Sequence, residues 1–95
     1  MQTPLTPEEV RLHLLELPGW THAAGARLEK TFRFADFRSA LDFVNVVGSL
    51  AERAGHHPEV ELVWGRVTLR LRTHASGGIT DLDVGLARAV EGSRR

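Results

Sequence analysis

The amino-acid sequence contains no cysteine and no tyrosine, and only one methionine among its 95 residues. Without cysteine, the chain can form neither disulfides nor thiolate metal sites, which suits a reducing compartment. No apolar run approaches the roughly 20 residues that a membrane-spanning helix needs, and the N-terminus has no signal-peptide pattern. We therefore expect a soluble, cytoplasmic protein that makes no contact with a membrane.

An excess of charge of either sign is also absent. Twelve Lys and Arg residues balance twelve Asp and Glu residues, so the formal net charge is zero. Proteins that bind nucleic acid normally present a strongly basic surface, and this balance argues against a nucleic-acid partner. Nor is there a glycine-rich nucleotide-binding motif.

The chain length predicts a single domain that spans residues 1–95. A domain of this size buries a modest fraction of its surface, so further apolar burial between copies of the chain would stabilise it. The sequence therefore favours a homo-oligomer.

The first half of the chain predicts a helix, two strands and a second, longer helix. Thr6 and Glu9 form a capping box, and the first helix is expected to run to about Leu17. A short extended segment starts near Trp20, and residues 28–34 alternate as a half-buried strand. Lys30 interrupts the apolar face of this strand, which suggests an edge strand.

The second half continues the same architecture. Asp36 caps the long helix, which ends at Gly55, and residues 59–64 and 67–73 form a hairpin before a last helix capped by Thr80. The long helix carries a second apolar set that predicts contact with another subunit: Phe43, Val46 and Leu50. The fold class is α+β, with the order α-β-β-α-β-β-α and a four-stranded, mainly antiparallel sheet with helices on one face.

Three histidines near the ends of the predicted hairpin form a candidate acid–base site. Glu52 precedes His56 by four residues, so that its carboxylate could fix the imidazole tautomer and make His56 a proton donor. His57 lies before Pro58, which favours an extended backbone, and His74 follows the last strand. We interpret His56, His57 and His74 as catalytic and Glu52 as supporting.

Two alternatives remain open for these residues. Imidazoles and a carboxylate are normal zinc ligands, but adjacent histidines rarely reach one metal, and we expect none. The chain could also be a non-catalytic binding module. Asp83 follows Thr80 by three residues, and we interpret it as a helix-capping residue with a structural role.

The spacing from Glu52 to Asp83 resembles the pterin-4a-carbinolamine dehydratase family. Glu52, three residues, His56-His57-Pro58, five residues, Trp64, nine residues, His74, eight residues and Asp83 match the family signature. The segments LEKTFRFADFRSALDFV and TLRLRTHASGGITDLD also resemble the family. Gly65 and Ala75 depart from it, since asparagine and an acidic residue are common there.

The resemblance implies a hydro-lyase that converts 4a-hydroxytetrahydropterin to quinonoid dihydropterin and water, in recycling of the pterin of aromatic amino-acid hydroxylases. The pterin is the substrate, so no cofactor is implied. A homodimer or homotetramer and a functional link to a hydroxylase are also implied, and the alternative is a dimerisation or assembly cofactor on the same fold. Substrate-binding roles are implied for a further set of residues: Pro58, Trp64, Thr73, Ala75 and Ser76.

Overall fold

The computed structural model describes residues 3–94, and within this range it contains three α-helices, four strands and a short 3-10 helix. The elements are α1 (Pro7–Leu14), β1 (Thr21–Ala23), β2 (Arg27–Arg33), α2 (Phe37–Ala54), β3 (Glu59–Val63), β4 (Arg66–Leu71), the 3-10 helix (His74–Ser76) and α3 (Asp81–Ser93). No helix in residues 3–94 is both long enough and apolar enough to cross a membrane.

The four strands form one antiparallel sheet in the order β1-β2-β4-β3. Alternate residues of β2 and β4 point into the core, because successive side chains of a strand face opposite sides of the sheet. These residues are Leu28, Phe32, Val67, Leu69 and Leu71. The predicted fold class and element order are confirmed.

The predicted N-terminal caps of the helices are also confirmed, because they depend on local hydrogen bonds. Thr6 and Glu9 form the reciprocal capping box, and Asp36 accepts a hydrogen bond from the Ser39 backbone at 2.8 Å. This hydrogen bond lowers the pKa of Asp36. α1 ends at Leu14 instead of Leu17, and the next residues form tighter i to i−3 bonds because Pro18 disfavours helical geometry before it.

The prediction that Lys30 marks an edge strand is wrong. β2 lies between β1 and β4, and the Lys30 Nζ atom is 2.8 Å from Glu91 and 2.7 Å from the Pro18 carbonyl oxygen. Glu91 also accepts a hydrogen bond from the Trp20 indole. A partner on α3, distant in sequence, therefore accounts for a lysine on the apolar face.

The second apolar surface of α2 is smaller than the sequence predicts. Phe43 lies in the core of its own chain, with its ring 4.7 Å from that of Phe32 and 5.2 Å from that of Phe34. Val46 remains exposed and Leu50 is half-buried. Any contact with a second copy through this face therefore centres on Val46 and Leu50.

We expect the protein to self-associate through this face. Val46→Arg should yield a monomer in light scattering at micromolar concentration, because a charge buried between copies without a partner is unfavourable. Asn45→Arg adds the same charge one position along on the exposed polar side and should leave the assembly intact. A native monomer, or equal dissociation by both variants, would contradict this expectation.

Candidate functional site

The open end of the β3–β4 hairpin brings two of the predicted histidines together. His57 and Pro58 lead into β3, and His74 lies three residues after the end of β4. The two strands are antiparallel, with Glu59 opposite Arg70, so their outer ends meet. They form a pocket of about 180 Å³ lined by Arg27, His57, Pro58, Glu59, Arg70, Arg72 and His74.

His56 is not on the wall of this pocket, and its carboxylate partner differs from the predicted one. Its Nε2 atom lies 2.5 Å from Oδ1 of Asp83, and 11% of its side chain is exposed. Gly55 takes a left-handed conformation at the end of α2, with φ 64°. The helix therefore ends before His56, and the predicted pairing of His56 with Glu52 is wrong.

Asp83 is completely buried and accepts hydrogen bonds from three segments of the chain. Its Oδ2 atom accepts from the Thr73 hydroxyl at 2.8 Å and from the Thr80 backbone at 2.9 Å. The Thr80 hydroxyl lies 2.8 Å from that of Thr73, and it donates there because the Thr73 proton is already used. The capping role of Asp83 is confirmed, but Asp83 also holds His56.

Glu52 pairs with His57 instead. The Nε2 atom of His57 lies 2.5 Å from Oε2 of Glu52, and most of both side chains is exposed. Exposed ion pairs stabilise a fold by little, about 0–1 kcal/mol. The consequence of this contact is therefore orientation of the imidazole: an ionised carboxylate can only accept, so Nε2 donates and Nδ1 faces away from Glu52.

The structure separates the residues for which the resemblance implies substrate contact. Pro58 lines the pocket with the two histidines, whereas Thr73 is buried and its hydroxyl donates to Asp83. The implied substrate contact of Thr73 stays a prediction. Ala75 and Ser76 belong to the 3-10 turn after His74 and are not among the pocket-lining residues.

Trp64 lies at the opposite end of the hairpin. It follows β3, whose five residues span roughly 17 Å at the usual rise of a strand. Trp64 is 68% exposed and lines a separate groove with Arg33, Phe34 and Arg66. Within one chain, Trp64 therefore lies away from His57 and His74, and its implied substrate-binding role stays a prediction.

Sequence reasoning missed the arginines of the pocket. Arg70 lies on β4 between the core residues Leu69 and Leu71, and Arg72 directly follows the end of this strand. Arg27 begins the neighbouring strand β2. The sequence did contain a signal for Arg70 and Arg72, because both occupy polar positions in the alternating pattern of apolar and polar residues around β4. The hydrogen bond with Glu29 is the main cause that raises the pKa of Arg70.

The zinc site that was an alternative interpretation of the histidines and Glu52 has no set of ligands within residues 3–94. Within residues 3–94, no three His, Asp or Glu side chains form a group that could hold a metal ion. Glu52 is bonded to His57 while His56 is bonded to Asp83, which divides the proposed ligands between two separate pairs.

The sequence matches one protein-family model over nearly its whole length. Residues 3–93 match the family described as Pterin 4 alpha carbinolamine dehydratase. A relative from Thermosynechococcus vestitus is 46% identical over 90 residues, which cover 95% of this chain and 94% of the relative. A relative from Sulfurisphaera tokodaii is 44% identical over 87 residues, which cover 92% of each chain. Both carry the provisional name pterin-4-alpha-carbinolamine dehydratase.

Solved structures show the same fold. A Brucella melitensis protein described as a transcriptional coactivator/pterin dehydratase superposes with a TM-score of 0.90 and 34% identity, covering 95% of this chain and 97% of that one. A pterin dehydratase-like protein described as a RuBisCO assembly factor has a TM-score of 0.64 and 21% identity, covering 78% of this chain and 87% of that one. The second likeness concerns the fold alone.

The buried carboxylate predicts a large difference between two aspartates of α3. Asp83→Ala leaves the donors of His56, Thr73 and Thr80 without an acceptor and should lower the free energy of unfolding by about 2–5 kcal/mol. Asp81→Ala, in the same helical turn but exposed, should cost at most about 1 kcal/mol. Urea unfolding followed by tryptophan fluorescence measures both. Equal losses would show that the network around Asp83 does not stabilise the fold.

Proposed function

Because the chain belongs to the Pterin 4 alpha carbinolamine dehydratase family, we propose that it is a hydro-lyase acting on 4a-hydroxytetrahydropterin. The products are quinonoid dihydropterin and water, and the reaction returns the pterin of aromatic amino-acid hydroxylases to its cycle. The observation that carries the proposal is that His57 and His74 line one pocket. This is the arrangement that an acid–base elimination requires.

The chemistry needs two proton transfers and no change of oxidation state. Hydroxide is a poor leaving group, so a general acid must protonate the oxygen that leaves C4a. The electron pair of the N5–H bond forms the new double bond to C4a as a base removes the N5 proton. Imidazole titrates near neutral pH and is suited to either role. Neither step calls for a metal or a redox cofactor.

We assign the proton donation to His74 and the removal of the N5 proton to His57. His74 is exposed and lines the pocket together with His57, so its ring is accessible to a substrate there. His57 has Nε2 engaged with Glu52, which leaves Nδ1 as an acceptor towards a substrate. Each imidazole on the wall then has a separate task.

We assign to His56 a second proton donation, to an oxygen that leaves C4a in a different direction from the one that His74 serves. Its Nε2 atom is committed to the buried Asp83, so Nδ1 is the atom that can serve a substrate. Only a small part of the His56 side chain is exposed, so a substrate can reach only one edge of the ring. Asp83 therefore takes the orienting role that the sequence had indicated for Glu52.

A non-catalytic assembly role is the alternative function. A protein with the same fold is described as a RuBisCO assembly factor. In this chain, three exposed apolar residues on or next to the edge strand β3 could contact a protein partner: Val60, Val63 and Trp64. The catalytic proposal and this alternative are separated by a direct test of dehydration.

Purified protein should accelerate dehydration of chemically prepared 4a-hydroxytetrahydropterin between about pH 6 and 8.5, where imidazole changes its protonation state. The absorbance change as quinonoid product forms measures the rate. A chelator should leave the acceleration unchanged, since the proposed steps use no metal. An unchanged spontaneous rate would overturn the catalytic proposal and favour the assembly role.

Single alanine variants should separate the roles of the histidines. His57→Ala and His74→Ala should each lower kcat roughly 100-fold or more, in the usual range for a general acid or base. His56→Ala should lower kcat less, because His74 lies on the pocket wall and is the main donor, whereas His56 is almost buried. The His56→Ala/His74→Ala double variant should lose more than either single variant. Glu52→Ala removes the exposed carboxylate that orients His57, and it should lower kcat the least among these variants.

His22→Ala is the matched control for the histidine series. His22 is an exposed imidazole on β1, outside the pocket, and its loss should leave turnover unchanged. Variants of His57 and His74 that raise KM while leaving kcat unchanged would show that these residues bind substrate only.

A further inference from the structure

The wall of the histidine pocket is unusually rich in guanidinium groups. Arg27, Arg70 and Arg72 line it together with His57 and His74, and Glu59 is the only acidic residue among its lining residues in the described chain. The pocket therefore concentrates positive charge within a protein whose formal net charge is zero.

These arginines differ in how their charge is balanced. Arg27 has an ion pair with Glu59 at 3.1 Å, and Arg70 has one with Glu29 at 2.8 Å and a longer one with Glu61 at 3.5 Å. Arg72 instead donates to the backbone carbonyl of Gly25, which carries no charge. Within residues 3–94, Arg72 forms no ion pair with a carboxylate.

Arg27 and Arg72 also lie next to each other. Leu28 pairs with Leu71 across β2 and β4, so Arg27 and Arg72 occupy the next step of the same antiparallel ladder. The Nε atoms of both arginines are buried without a hydrogen-bond partner in the described chain. Like charges directly across a strand pair destabilise the sheet, as do buried donors without an acceptor.

An oxyanion in this pocket would give Arg72 the opposite charge that no carboxylate of residues 3–94 supplies. Guanidinium groups bind phosphate and carboxylate through paired hydrogen bonds, and charge-assisted bonds of this kind are among the strongest in proteins. Because the imidazoles and the arginines line the same pocket of about 180 Å³, a ligand held by His57 and His74 also contacts the arginine wall.

We propose that the pterin ligand of this protein carries an anionic substituent, a phosphate ester or another oxyanion, and that Arg72, assisted by Arg27, binds it. This proposal rests on the function proposed above and adds the class of substrate. The imidazoles carry out the proton transfers at the ring, while the arginines select for the charged side chain of the ring.

The test compares two fluorescent pterins, neopterin and its monophosphate ester, by fluorescence titration of the native protein. The monophosphate should bind about tenfold more tightly or better at low salt, as one charge-assisted contact allows. This preference should shrink as salt is raised, because part of it is electrostatic. Equal affinities for the two pterins at low salt would overturn the proposal.

Arg72→Gln should abolish the preference while leaving the affinity for neopterin itself nearly unchanged. Arg66→Gln is the matched control, since Arg66 begins β4 and Arg72 directly follows its last residue. By strand alternation the two side chains face the same side of the sheet, at opposite ends of β4. It removes the same charge and should retain the preference. Equal loss in both variants would show a general effect of net charge and contradict the proposal.

Two further measurements keep the result interpretable. If Arg72→Gln fails to fold by circular dichroism, Arg27→Gln and the native salt dependence provide the same comparison. Dehydration of a carbinolamine with an uncharged side chain, combined with equal binding of both pterins, would overturn this inference alone. Absence of dehydration with carbinolamines of either kind would overturn the proposed function.

Discussion

The buried carboxylate of Asp83 is the interaction on which the site depends. A carboxylate with no exposed surface is tolerated only where hydrogen-bond donors or a cation replace the lost water. Here the donors come from the segment after α2, the segment after β4 and the start of α3, through His56, Thr73 and Thr80. Displacing any of these segments would leave Asp83 short of a donor, so their relative positions are coupled.

This coupling extends to two side chains that do not touch Asp83. His57 follows His56 in sequence and His74 follows Thr73, so each pocket imidazole is attached to a residue held by the buried network. Exposed side chains on irregular segments are normally mobile, and a supporting layer is what makes such a site well defined. The positions of these two histidines at the surface are thus set by a carboxyl group in the interior.

Electrostatics acts on two different scales in this protein. The formal net charge of zero concerns the electrostatic field far from the molecule, to which basic and acidic residues contribute equally. The pocket depends on short-range placement, where Arg72 has no carboxylate partner in the described chain while Arg27 and Arg70 do. A balanced composition is therefore compatible with a strongly cationic pocket.

The sequence by itself determined the features that depend on neighbours within a few residues. The caps at Thr6, Asp36 and Thr80, the end of α2 at Gly55 and the alternation of β4 follow from local hydrogen bonds and from side-chain periodicity. The spacing of Glu52, the histidine pair and His74 also identified the family, and the family-model match confirms it. These patterns can be read without knowledge of the tertiary packing.

Only the tertiary structure decided which carboxylate each histidine meets. The spacing of Glu52 and His56 implies a contact only if the helix continues, and the left-handed turn at Gly55 ends it, so His56 instead reaches Asp83, 27 residues away. Lys30 and Phe43 were misassigned for the same reason, since their partners Glu91 and Phe32 lie on other elements. Contacts between distant segments depend on how the elements pack, and periodicity along a single segment carries no information about that packing.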